Sequence, residues 1–276
     1  MKQFFKNMPN IKISLIIGNY NTYDLTSNCI ISIFKFAPSF EFEVIVVDDA
    51  SPDKSGQKLK LLEKKFDNLK VILNTKNSGY VKTNNKGLKI SKGEYKLLLN
   101  SDTVVQKNSL QNLVEFAEKT DDAGVVGSKL INIDGSLQES CYNFPTLFNV
   151  VGYKKFAPHP PAGGSAVVDA VVGAVFLITP KAYKLIGNLS EKYRSYFEDL
   201  DYCREVKRKG LKVYYLPDSI VTHYHGESFK QLADSANQWK KLIPSSIIYH
   251  GIFTHYLLLI ISWTYQKIQK ILKLIK

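Results

Sequence analysis

The segment 193–210, YRSYFEDLDYCREVKRKG, places three carboxylates, Glu198, Asp199 and Asp201, at the mouth of a predicted helix. Two chemistries suit them. Acids in a first turn complement the helix macrodipole: Asp199 can cap, Lys207, Arg208 and Lys209 crowd the last turn, and Gly210 can take the left-handed closing position. The aromatic run before them, Tyr193, Tyr196 and Phe197, points instead to a partly desolvated carboxylate, whose raised pKa makes a general base near neutral pH. Other acids follow apolar runs: Asp48 and Asp49 after residues 44–47, and Asp102 just beyond residues 95–99 and Asn100. Downstream stand His223 and His225. A single histidine is more often a satisfied structural one, and it is the neighbouring histidine and upstream acids that make a ligand role competitive.

An open parallel sheet would deliver these groups to one edge. Residues 11–17, IKISLII, read as a buried strand ending at Gly18-Asn19-Tyr20-Asn21, and 22–36 carries Leu25, Cys29, Ile33 and Phe36 at helical spacing before Pro38. A near-continuous apolar strand over 44–47, a helix over 57–66, a strand over 69–73 and a turn at Asn77-Ser78-Gly79-Tyr80 follow. A helix then runs through Leu88, and 95–99 is a fourth strand. This alternation predicts a doubly wound sheet, which binds ligands at the carboxyl ends of its strands. Asn77, Gly79 and Asn84 serve equally well as turn and cap residues.

The second half is predicted as a helix over 110–119, a strand over 124–131 and a loop rich in Pro, Gly and Ala over 153–168, long enough for a lid. A strand over 169–178 is interrupted at Gly173, a helix covers 180–186, and a last strand covers 211–216. A glycine inside a strand marks close approach of a ligand or of another backbone.

The 276 residues are 45% hydrophobic and 22% charged, enough for one large core. The expected division is a globular unit over 1–240, with halves 11–105 and 106–240, and a tail over 241–276. A net charge of +12 asks for anionic partners such as nucleotide phosphates or lipid headgroups. Nucleic acid is disfavoured, since neither zinc-finger spacing nor interleaved basic and aromatic residues occur. Cys29, Cys141 and Cys203 stand far apart, which argues for reduced thiols and against sulfur ligation of a metal. The run after MKQFFKNMPN contains Lys12 and Ser14 and reads as a first strand, not a signal peptide. Neither G-x-G-x-x-G after the first strand nor a P-loop is present.

From Ser245 the character changes. Residues 247–263 are largely apolar but include His250, Gly251, Thr254 and His255, near the short limit for a spanning helix. The basic end sets Ile268, Ile271, Leu272 and Ile275 on one helical face. Two readings stay open: an interfacial helix on anionic headgroups, or a helix packed on the core or on a second copy in a homodimer.

Taken in order, SLIIGNYN, EVIVVDDASPDKS, NSGYVKTNNKGL, LLLNSDT, INIDGSLQES with Phe144-Pro145-Thr146, DAVVGAVFLI and the FEDLDYCREVKRKG segment through His223 resemble a family 2 glycosyltransferase. The branch resembled is that of bacterial rhamnosyltransferases. Gly18, Ala170, Ser190, Arg194 and Glu205 depart from that pattern. The resemblance implies a GT-A α/β fold, a mostly parallel nucleotide-binding sheet flanked by helices, with the C-terminal helical tail added. It implies a nucleoside diphosphate sugar donor, with rhamnose from dTDP-rhamnose as first choice, and a glycan or lipid-linked glycan acceptor. Asp48 would accept the base imide, with Asp49 on the ribose side, and Asn19, Asn21, Asn77, Gly79, Asn84, Asn100 and Gly173 would line the substrates. Asp102 and His223 would hold Mg2+ or Mn2+ on the diphosphate, weakly, because Asn100 replaces an acid. Asp199 would be the base of an inverting displacement, with Glu198 and Asp201 orienting or capping. Lys82 is a candidate diphosphate contact or a solvated face. The tail implies a cytoplasmic protein, peripheral on the inner face of the cell membrane. A polyprenyl-phosphate sugar synthase and a non-catalytic membrane-bound binding subunit remain as alternatives.

Overall fold

The computed structural model describes residues 10–145, 163–224 and 238–274. The first half alternates strand and helix: β1 (Ile13–Asn19), α1 (Tyr23–Lys35), β2 (Phe42–Asp48), α2 (Ser55–Glu63), β3 (Leu69–Leu73), α3 (Tyr80–Ile90) and β4 (Tyr95–Leu99). The second half holds β5 (Thr103–Val105), α4 (Ser109–Glu118), β6 (Ala123–Ile131), β7 (Cys141–Tyr142), β8 (Ala166–Val168), β9 (Ala170–Val171) and β10 (Val175–Ile178). It continues with α5 (Pro180–Ile186), α6 (Glu198–Arg208) and β11 (Lys212–His223), and the chain ends in α7 (Gln238–His250) and α8 (Ile252–Leu274).

Among the described residues the main sheet runs β3-β2-β1-β4-β10-β6-β11-β5, with β8 also paired to β11. The pairs β1–β2, β2–β3, β1–β4 and β6–β11 are parallel, and β10 lies antiparallel between β4 and β6. The central strands are mostly apolar because both faces are buried, and alternate residues serve different cores. Ile13, Leu15 and Ile17 join α1, α2 and α4 on one face. Ile16, Leu98, Phe176 and Ile178 join α3, α5 and α6 on the other. The fold is thus the expected α/β arrangement, with helices on both faces of the sheet.

Three of the differences from the sequence reading bear on the site. The strand expected to stop at Leu216 continues to His223, because a register shift between Leu216 and Ile220 accommodates Pro217 without a missing ladder hydrogen bond. The strand interrupted at Gly173 is two strands in two sheets: β9 pairs with β7, and β10 joins the main sheet. Short β5, unseen in the sequence, pairs Thr103 with His223. The lid expected over 153–168 lies largely outside the described residues, as do His225, Thr146 and Ile275.

The last two helices are not a free tail. Helix α7 packs on α6: the Arg204 guanidinium lies 4.2 Å from the Tyr249 ring centroid, and Phe197 and Tyr249 rings are 5.4 Å apart. The Ser245 hydroxyl donates to Ser195 O at 2.6 Å.

Candidate active site

Parallel register brings Asn19 level with Asp48 at the carboxyl ends of β1 and β2. The Asn19 amide therefore donates to Asp48 Oδ1 at 2.6 Å, and Ser51 adds its backbone N–H at 3.1 Å and its hydroxyl at 2.6 Å. Asp48 is buried and its oxygens are committed to this loop. Its neighbour Asp49 faces the other way. It accepts from the Asn74 amide, from both the N–H and hydroxyl of Ser78, and from Gly79 N–H, all at 2.8 to 2.9 Å. Burial works to raise the Asp49 carboxyl, but these hydrogen bonds outweigh it and hold the group below its ordinary value. Asp49 thereby fixes the loop that opens α3. Gly79 in that loop has φ +88°, and a Cβ there would come within 2.6 Å of Arg194 Cγ, so only glycine fits. Arg194 in turn donates to Asn77 Oδ1 at 2.6 Å. Asn21 is left-handed at φ 56° with its N–H on Ser51, and the Asn84 amide donates to Tyr80 O within α3.

Strand β5 builds the second group. It sets Asp102 beside the end of β11, where Asp102 Oδ1 lies 3.4 Å from His223 Nε2 and both residues are buried. The Gln138 amide nitrogen donates to Asn132 Oδ1 and His223 O, so its oxygen, 2.7 Å from His223 Nδ1, accepts from the ring. With Nδ1 held by Gln138, Nε2 is the ring nitrogen that faces Asp102. An oxygen donor and a nitrogen donor so disposed fit a divalent cation that takes its remaining ligands from phosphates. Among the described residues no cluster of three or more His, Cys, Asp or Glu could form a cage alone.

The third group is the mouth of α6. Tyr196 and Phe197 are both left-handed at φ 66°, two strained non-glycine residues directly before the acids. Asp199 Oδ2 accepts from Gly173 N–H at 3.0 Å and Oδ1 from Leu200 N–H at 2.8 Å. Asp199 is therefore the second residue of the helix, with Phe197 in the capping position. Burial, then the charge of Asp199, raise the Glu198 carboxyl; burial likewise raises Asp199 against its two N–H donors. Glu198 Oε2 is buried without a hydrogen-bond partner among the described residues. Asp201 pairs with Arg204 within α6, and the Arg204 guanidinium lies over Tyr249 of α7. Gly210 closes the helix at φ 75°, as the sequence predicts.

Tyr80, at the start of α3, links the second and third groups. Its hydroxyl lies 3.1 Å from Asn100 Oδ1 and 3.4 Å from Gly173 O. Burial, then the charges of Glu198, Asp199 and Asp102, raise its pKa. A cleft of about 750 Å³ opens beside it. Its wall includes the predicted Asn19, Asp49, Asn77, Gly79 and Asn100, but not Asp48, Asp102 or Asp199. Lys192, Arg194 and Tyr196 join the wall, as do Pro244, Ser245 and Ile248 of α7. Sequence reasoning missed Tyr80, Gln138 and the α7 residues; the first two stand inside motifs it quoted, whereas nothing local ties α7 to a site 50 residues earlier.

Residues 14–156 match the family model for Glycosyl transferase family 2. A poly(ribitol-phosphate) β-glucosyltransferase of Bacillus spizizenii is 37% identical over 127 residues, 45% of this chain and 20% of that protein. The chain therefore aligns with only a fifth of that relative. In fold it resembles a mannosyltransferase of Pyrobaculum calidifontis solved with GDP-Man and Mn2+ (TM-score 0.60, 16% identity, 94% of this chain and 69% of that one). It also resembles GalNAc-T7 solved with UDP, GalNAc and Mn2+ (TM-score 0.62, 18% identity, 77% and 43%).

Proposed function

This chain belongs to glycosyl transferase family 2, and from that premise we propose that it moves a sugar from a nucleoside diphosphate donor to a hydroxyl acceptor with inversion. The acceptor oxygen attacks the anomeric carbon as the bond to the diphosphate oxygen breaks. The hydroxyl proton passes to Asp199, and the nucleoside diphosphate leaves with the electron pair. The observation that carries this reading is the convergence on Tyr80 of Asn100 from the donor-side strand and Gly173 from the acceptor-side strand, with Asp199 on Gly173 N–H. Each Asp199 oxygen accepts one N–H and keeps a further acceptor position for a substrate hydroxyl. Its raised pKa suits a base working near neutrality.

Asp102 and His223 are the residues that would hold Mg2+ or Mn2+, which with the donor phosphates would neutralise charge developing on the leaving diphosphate. Asp49 lines the cleft and Asp48 does not, so Asp49 is the acid that borders a nucleotide bound there. Rhamnose as the sugar rests on motif resemblance alone, and the Bacillus relative is named for glucose. The lysine-rich tail supports action on a glycan or lipid-linked glycan at the inner face of the cell membrane.

The test is nucleoside diphosphate release, with Mn2+, from dTDP-rhamnose, UDP-glucose, UDP-GalNAc and GDP-mannose. Asp199→Asn should lower turnover about 100- to 10,000-fold while leaving donor binding intact. Turnover at the wild-type rate in that variant would remove the assigned base.

A further inference from the structure

We propose that α7 and α8 form a platform that seats on an anionic lipid leaflet and walls the acceptor side of the cleft. The acceptor then reaches Asp199 while still carried by a lipid in that leaflet. The acceptor half of this inference rests on the glycosyl-transfer reading above; the docking half does not.

Helix α8 already has a packing partner. His255 and Leu258 are buried, His255 Nδ1 lies 2.8 Å from the Ser246 hydroxyl on α7, and Gly251 at φ +79° makes the turn between the helices. The face turned away is apolar nonetheless. Ile252, Phe253, Tyr256, Leu259, Ile260 and Trp263 follow helical spacing along it, with Phe253 80% and Trp263 61% exposed. A contiguous exposed stripe of aromatic and aliphatic groups marks an interaction surface. Charge selects its occupant. Residues 238–276 contain six lysines and no Asp or Glu, so a like-charged second copy is repelled and an anionic headgroup layer is attracted. Among the described residues no single helix is long and apolar enough to cross a bilayer; the pair, bent by 116° at Gly251, has the length and composition of a broken span, and alkaline extraction separates that arrangement from a helix lying in the interface.

The same platform reaches the site. Pro244, Ser245 and Ile248 form part of the cleft wall, and Ser245 holds Ser195 O immediately before strained Tyr196 and Phe197. Lys192 and Arg194 stand on that wall as well, cations suited to a phosphate joining sugar to lipid. A leaflet under α8 thus lies against the element that borders the acceptor.

The full chain is sedimented with vesicles of equal phosphatidylglycerol and phosphatidylcholine, and with phosphatidylcholine alone. Binding to the first only, released by salt, is expected, and Phe253→Glu with Trp263→Glu should weaken it at least about tenfold. Label from a radioactive donor, incubated with lipid extracted from the encoding organism's membranes, should enter the chloroform phase with wild type. In the double variant that transfer should fall about tenfold while donor hydrolysis without acceptor stays unchanged. Unaltered vesicle binding by the variant overturns the proposal. So does a wild-type dimer that the variant converts to monomer at equal vesicle binding, or wild-type protein resistant to alkaline extraction, which would mean an inserted span. Donor hydrolysis with no label entering lipid overturns the acceptor half; vesicle binding with no donor hydrolysed defeats the glycosyl-transfer reading and leaves the docking face standing.

Discussion

Tyr80 joins two parts of the site, because its hydroxyl lies within reach of both Asn100 and Gly173. Tyr80→Phe keeps the ring in its core and removes only the hydroxyl, so thermal stability should change by about 1 kcal/mol or less. Turnover should fall about tenfold with the donor KM little altered, as steady-state kinetics would reveal; an unchanged kcat would make Tyr80 a packing residue. Glu198 supports a different test. Its carboxyl is raised in the folded chain, so the folded state holds a proton that the unfolded state releases at lower pH. Stability from this group is therefore lost as pH rises from the ordinary carboxylate range toward the raised value. Glu198→Gln cannot ionise, and should flatten that decline in urea unfolding midpoints measured between about pH 5.5 and about pH 8.5. A parallel decline in both proteins would mean that other groups govern it.

At the scale of elements, what could be read from the sequence depended on burial. Strands β1, β2 and β4 were legible because both faces are covered and their residues are mostly apolar, broken once each by Ser14, Glu43 and Lys96, and their ends bring Asn19, Asp49 and Asn100 to the cleft wall. Asp48 and Asp49 could not be ranked, since which carboxylate turns inward depends on the strand register with Asn19 and on the distant Ser78-Gly79 loop. Strand β5 was invisible because three residues carry no period, yet its pairing of Thr103 with His223 helps set Asp102 beside the histidine. Beyond Pro217 the sequence signalled a break, while the bulge kept β11 in the sheet. Asp201 was expected to orient or cap, and the structure pairs it with Arg204 one turn further on. Arg204→Ala removes both this ion pair and the guanidinium over Tyr249. The part-buried pair and ring contact together predict a loss of about 1–2 kcal/mol, read from chemical unfolding, with accelerated amide exchange confined to α7.

For the molecule as a whole, the last two helices decide whether the catalytic half stands alone. Six of the chain's twelve net positive charges lie in residues 238–276, which would make the tail look like a detachable basic appendage. Its packing says otherwise: α7 supplies Pro244, Ser245 and Ile248 to the cleft and covers Phe197 directly before Glu198. Ending the chain after residue 237 therefore removes more than lipid affinity. It uncovers the apolar side of Phe197 and frees Ser195, so the two left-handed residues lose what over-determines them and can relax away from φ 66°. Donor hydrolysis should drop about tenfold or more in the truncated protein, even without membranes, whereas Phe253→Glu with Trp263→Glu leaves it at the wild-type rate. Equal hydrolysis by the truncated and full chains would show that the strained mouth of α6 is held by the sheet alone, and that the platform serves the membrane but not the chemistry.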